Sequence, residues 1–177
     1  KILTNKKIAI VTFHPVTRNN INYDKQIEKF LKALRNVKEF YYIFTYNNSD
    51  TLGKNFIKKI NNFVKNEEDS KIFKTMGTKI YLSFIKIADV VVGNSSSGIY
   101  EAPALKTITL NIGNRQEGRI FGSSIISAEN ETKEITEKLR KIYNKEYKIN
   151  YKNIYYKKDV SGKISSKIKK ILNKNNN

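Results

Sequence analysis

The sequence contains no cysteine, so neither a disulfide framework nor a thiolate metal site can form, and a reducing cytoplasm is the expected location. Long apolar runs are missing as well. The strongest, such as residues 88–93, fall far short of the roughly 20 residues that span a bilayer, so no membrane-crossing segment is expected. Nothing near the start has the pattern of a signal peptide. Histidine occurs once, at His14. Acidic residues are scarce relative to basic ones: 16 Asp and Glu stand against 34 Lys and Arg, for a formal net charge of +18.

Such an excess ordinarily points to nucleic acid or an anionic membrane, because clustered Lys and Arg release counterions from a polyanion. Here the lysines are spread over every predicted helix and the C-terminal tail, among many Asn and Ile residues. Scattered charge makes no groove-tracking stripe, so solvated faces are the preferred reading and a nucleic-acid partner is not expected. At 177 residues the chain can bury a sizeable core yet is short of the length that suggests two domains, and one domain over residues 1–177 is expected.

Apolar, β-branched runs predict strands at residues 7–13 (KIAIVTF), 40–46, 71–74, 89–92, 107–112 and 123–128. Between them Ile27, Phe30, Leu31 and Leu34, and then Phe56, Ile57, Ile60, Phe63 and Val64, recur at three- and four-residue spacing, which predicts amphipathic helices over 23–37 and from about residue 56. Asn47 to Asp50 reads as a turn. Shorter helices are predicted at 80–87 and 99–105, another at 131–143 with Thr132 as a candidate N-cap, and a basic one at 165–172. Residues 147–159 are Tyr-rich with no clean period. Alternating strands and helices predict an α/β fold: a parallel, doubly wound, Rossmann-like sheet. Ligands of such sheets bind beyond the carboxyl ends of the strands. His14, the loop 93–98 and the loop after Ile112 should therefore meet at one edge.

The loop Gly93-Asn94-Ser95-Ser96-Ser97-Gly98 lies between a strand and a helix. Small residues let the backbone approach a ligand, and the N–H groups and positive end of the next helix suit a phosphate, although Ser/Gly runs are also ordinary turns. Glu101 is expected in the first turn of that helix, where it caps free N–H groups or accepts the two hydroxyls of a ribose. Arg115 and Arg119 follow the fifth strand and bring planar donor forks matched to phosphate oxygens, or else remain solvated charges in a surface loop. His14 at a strand end is either a structural residue or a group for proton transfer or phosphate contact.

Three segments, Thr12-Phe13-His14-Pro15-Val16-Thr17, Gly93 to Pro103 (GNSSSGIYEAP), and Asn111-Ile112-Gly113-x-Arg115-Gln116-x-Gly118-Arg119, in that order and spacing, resemble the second domain of hydrolysing UDP-N-acetylglucosamine 2-epimerases. The resemblance covers residues 6 to 130 closely and the final helix loosely. It implies half of a glycosyltransferase-B-type enzyme, in which two Rossmann-like domains hold a UDP-sugar between them. The implied reaction eliminates UDP through a glycal, then hydrates it with inversion at carbon 2 to release N-acetylmannosamine for sialic acid synthesis, with no metal or nicotinamide cofactor. By the same resemblance His14 stands at the catalytic edge, Ser95 and Ser96 contact the pyrophosphate with Ser97 and Gly98 completing the loop, and Glu101 holds the ribose. Arg115 binds phosphate with Arg119 nearby, and Tyr81 lies near uracil or else belongs to the core.

The family's first domain, with the carboxylates that move the carbon 2 proton, is not in these 177 residues. It is therefore the implied partner, and the chain alone should bind UDP weakly without turnover. Family members often pair, so a homodimer is a further expectation. Two rival readings remain: the C-terminal domain of a UDP-sugar glycosyltransferase, which grips UDP with similar loops, and a basic nucleic-acid-binding module, whose binding would be strongly salt-dependent and indifferent to UDP.

Overall fold

The computed structural model describes residues 4–16, 22–46 and 53–174. Six strands, β1 (Lys7–Thr12), β2 (Phe40–Thr45), β3 (Ser70–Phe73), β4 (Val90–Gly93), β5 (Ile108–Ile112) and β6 (Ile125–Ala128), form one sheet in the order β3-β2-β1-β4-β5-β6. Every pairing is parallel. Six helices accompany them: α1 (Tyr23–Arg35), α2 (Gly53–Asn66), α3 (Gly77–Ile87), α4 (Ser97–Ala104), α5 (Thr132–Tyr143) and α6 (Val160–Lys174).

The strands read as unbroken apolar runs because both faces of the sheet are covered. Side chains still alternate between the faces. Ala9, Val11, Phe44, Val90, Val92 and Leu110 point to one side, where they pack with Phe30, Phe56, Phe63 and Leu139 of α1, α2 and α5. Ile10, Ile43 and Val91 point to the other and meet Ile85 of α3 and Ala102 of α4. On the first face Phe13 stacks on Phe30 with ring centroids 4.3 Å apart. The predicted doubly wound parallel sheet is thus the observed one.

Several predicted boundaries move. Helix α4 starts at Ser97 rather than residue 99, and α3 at Gly77 rather than 80. Helix α6 starts at Val160, five residues before the predicted start, because Ser161, Gly162 and Lys163 continue the helix instead of forming a loop. Thr132 is the first residue of α5 and not its cap: Glu131 occupies the cap position, while the Thr132 hydroxyl donates to the Lys29 carbonyl of α1 at 3.0 Å. The hydroxyl had a tertiary acceptor, and local sequence cannot show one. The predicted turn at Asn47 to Asp50 and the position of Thr17 lie outside the described residues.

Candidate functional site

A sheet of this order reverses its winding between β1 and β4, and the strand ends there diverge to leave a crevice. What closes its floor is a single buried loop. Gly93 ends β4 with φ of +134°, and a Cβ there would lie 2.1 Å from the Thr12 carbonyl oxygen, so only glycine allows β4 to finish this close to β1. Asn94, 1% exposed, follows. Its N–H donates to the Thr12 carbonyl at 3.1 Å. The side-chain oxygen accepts from the His14 N–H at 2.7 Å, and the amide nitrogen donates to the His14 carbonyl at 2.8 Å. Its own carbonyl accepts from Arg115 Nη1 at 3.0 Å and Gln116 Nε2 at 2.6 Å. One residue thereby joins the ends of β1, β4 and β5.

Above this floor lies a cleft of about 500 Å³ lined by His14, Ser95, Ser96, Ser97 and Arg115, with Tyr81 of α3, Thr12, Thr45 and the β3–α3 connection from Phe73 to Thr78 around them. Ser97 opens α4, and Ser95 and Ser96 cap its start: the Gly98 N–H donates to the Ser95 carbonyl at 3.2 Å and the Ile99 N–H to the Ser96 carbonyl at 2.9 Å, so both serines stand at the positive end of that helix. Burial, with Arg115 adding positive charge, lowers the His14 pKa to about 4, so the imidazole is neutral at physiological pH. Desolvation and the Arg119 charge lower that of Arg115. No carboxylate lines the cleft among the described residues. The site is cationic, and its donors converge on one volume, an arrangement that suits an anion.

The structure brings together six of the nine residues singled out from the sequence: His14, Tyr81, Ser95, Ser96, Ser97 and Arg115. Gly98 does not line the cleft, and a Cβ there would meet Thr109 Cγ2 at 2.7 Å. Arg119 lies over the Tyr100 ring, 5.2 Å from its centroid. Glu101 is not in the first turn of α4, because the helix begins two residues earlier than predicted; it stands exposed in the second turn, with no side-chain hydrogen bond or ion pair among the described residues. Sequence reasoning missed Asn94 as an organiser, although a polar residue directly after a strand-ending glycine was a usable signal. It also missed the stretch from the β3–α3 connection into α3, whose Lys74, Thr75 and Thr78 carry no motif.

A slightly larger groove of about 580 Å³ lies beside Asn36 and α5. Its charges are partly satisfied within α5, as in the Lys141–Glu137 pair at 2.7 Å, and it is not at the strand ends. Among the described residues no group of three His, Asp or Glu side chains could hold a metal ion, and no helix is long and apolar enough to cross a membrane.

The family model described as UDP-N-acetylglucosamine 2-epimerase matches residues 1–169. The chain is 39% identical over 146 residues to a Campylobacter jejuni protein named GDP/UDP-N,N'-diacetylbacillosamine 2-epimerase (hydrolyzing), covering 82% of this chain and 38% of that one. It is 34% identical over 128 residues to a Neisseria meningitidis UDP-N-acetylglucosamine 2-epimerase, covering 72% of this chain and 33% of the relative. A UDP-GlcNAc 2-epimerase structure from Methanocaldococcus jannaschii in complex with UDP-GlcNAc and UDP superposes with a TM-score of 0.72 at 18% identity, over 95% of this chain and 45% of that one. The chain thus spans well under half the length of the proteins it matches.

Proposed function

Because the chain belongs to the UDP-N-acetylglucosamine 2-epimerase family, we propose that it is the nucleotide-binding C-terminal half of a hydrolysing 2-epimerase, and that its cleft holds the UDP of a UDP-sugar. The observation that carries the reading is the convergence of Ser95, Ser96, His14 and Arg115 on one cationic cleft at the winding reversal of the sheet. The pyrophosphate would lie against the serine loop and the start of α4, with the Arg115 guanidinium on its oxygens. Glu101, whose carboxylate is uncommitted, remains the group proposed to hold the ribose.

The proposed reaction is an elimination of UDP followed by hydration that inverts carbon 2, releasing N-acetylmannosamine or its diacetamido counterpart. Expelling UDP from carbon 1 concentrates negative charge on the leaving phosphate. Donors already fixed around that position stabilise the charge most in the transition state, without reorganisation. A neutral His14 offers an N–H donor, and a diphosphate placed beside it would raise its proton affinity. The base that takes the carbon 2 proton is not supplied by this cleft, which has no carboxylate among its described residues. We assign it to a further half that covers the cleft. The relatives' greater length supports such a half, as does the apolar stripe that α6 leaves exposed through Ile164, Ile168, Ile171 and Leu172. The two relatives are named for different sugars, and the choice between them would rest with the half that faces the hexose.

The test is a calorimetric titration of the chain with UDP at moderate salt, beside Arg115→Ala and Glu101→Ala variants and a short RNA as competitor. Saturable binding that is weakened in both variants and unaffected by RNA is expected. Binding that survives both substitutions, or RNA binding indifferent to UDP, would remove the site assignment.

A further inference from the structure

We infer that Tyr81 is a positioning residue that aims the Ser95 hydroxyl proton into the cleft through Ser97, an inference that rests on the reading of the cleft as a diphosphate site. A hydroxyl has one proton to give and two lone pairs to accept with. Ser95 Oγ accepts twice from within its own loop, from the Ser97 hydroxyl at 3.1 Å and from the Ser97 N–H at 3.4 Å. Both lone pairs are thereby engaged, and its proton has no acceptor among the described residues. Either hydroxyl could donate in the 2.6 Å contact between Tyr81 and Ser97 taken alone, but with the Ser97 proton directed at Ser95 the assignment is one in which tyrosine donates.

The direction of the whole chain follows: Tyr81 donates to Ser97, Ser97 to Ser95, and Ser95 to whatever occupies the cleft. Each donation polarises the next hydroxyl and makes it a better donor, so the last one is strengthened toward an anion. The geometry is held from both ends. Ser97 is buried in the first turn of α4. The Tyr81 ring packs on the core cluster of Ile10, Ile43 and Ile85 beneath α3, which leaves its hydroxyl as a polar tip at the cleft. Tyr81 therefore unites the two sequence-based alternatives of core residue and ligand-site residue, and it reaches the phosphate side of the site rather than a base.

The experiment is a double-mutant cycle on the 177-residue chain with Tyr81→Phe, Ser95→Ala and the pair, titrated with UDP and, separately, with inorganic pyrophosphate. Phenylalanine keeps the packed ring, and Ser97→Ala breaks the same relay at its middle as a second variant. Tyr81→Phe should weaken UDP and pyrophosphate by the same factor, about threefold to tenfold, the range for one net hydrogen bond. Once Ser95 is alanine, the Tyr81 substitution should have no further effect. An equal loss in the Ser95→Ala background, a loss for UDP alone, or no loss would each overturn the relay while leaving the diphosphate site in place. Failure of the wild-type chain to bind either probe would instead overturn the site reading and the relay together.

Discussion

His14 carries the clearest consequence of burial in this molecule. In the unfolded chain its imidazole takes a proton near pH 6.5, and in the folded chain only near 4. Between those values the unfolded state binds the extra proton, so stability is full above about pH 6.5 and is lost as the pH falls through 4. The total loss amounts to about 3 kcal/mol. Because the sequence holds one histidine, a single imidazole resonance followed by NMR should titrate near pH 4, and His14→Gln should remove this part of the pH dependence seen in urea unfolding. Asn94 is the other residue on which the site depends. Asn94→Ala leaves the His14 backbone N–H and carbonyl without their partners, and denaturant unfolding should show a loss of about 2–3 kcal/mol. The same variant should weaken UDP binding, since the backbone carbonyl of this residue holds Arg115 and its chain leads directly into Ser95, and both lose their anchor when the side-chain bonds to His14 are removed.

Individual elements show how unevenly backbone geometry constrains the chain. Gly93 and Gly118 both have positive φ, at +134° and +82°, yet a Cβ at Gly93 would strike backbone and one at Gly118 would meet nothing within 4 Å. Gly93→Ala should cost more than about 3 kcal/mol through the forced separation of β1 and β4, whereas Gly118→Ala should cost about 1 kcal/mol for the left-handed conformation alone. Thermal melts of the two variants decide this comparison. Helix α6 presents the opposite case. Ile164 and Ile168 are about half exposed, and replacing both with Ser should change the stability of this chain by less than about 0.5 kcal/mol per site. The interiors of the elements were legible in the sequence because periods of two and 3.6 identify the faces that must be buried. Their ends were less so. The first turn of α4, which starts at Ser97, fits closely against Thr109 through Gly98, a contact between residues eleven apart in sequence, and that start decides which turn holds Glu101.

For the whole molecule, a net charge of +18 predicts that a short RNA will associate at low salt and dissociate steeply as salt rises, while a UDP complex made by a few fixed donors should depend on salt far less. Parallel titrations at low and moderate salt measure the difference. The sequence by itself determined the alternation of strands and helices, and with it the parallel sheet and the edge at which the cleft lies, since burial of both sheet faces requires continuous apolar strands. It also singled out the His14, serine-loop and Arg115 segments, which the structure brings to one cleft. Tertiary structure alone decided how those loops meet. That Asn94 ties three strand ends, that Tyr81 joins Ser97, that His14 is neutral, that Gly98 fits against Thr109 and that Arg119 lies over Tyr100 all depend on atoms distant in sequence. Local pattern encodes which face of an element is apolar, but hydrogen-bond direction and desolvation arise only when the elements are packed.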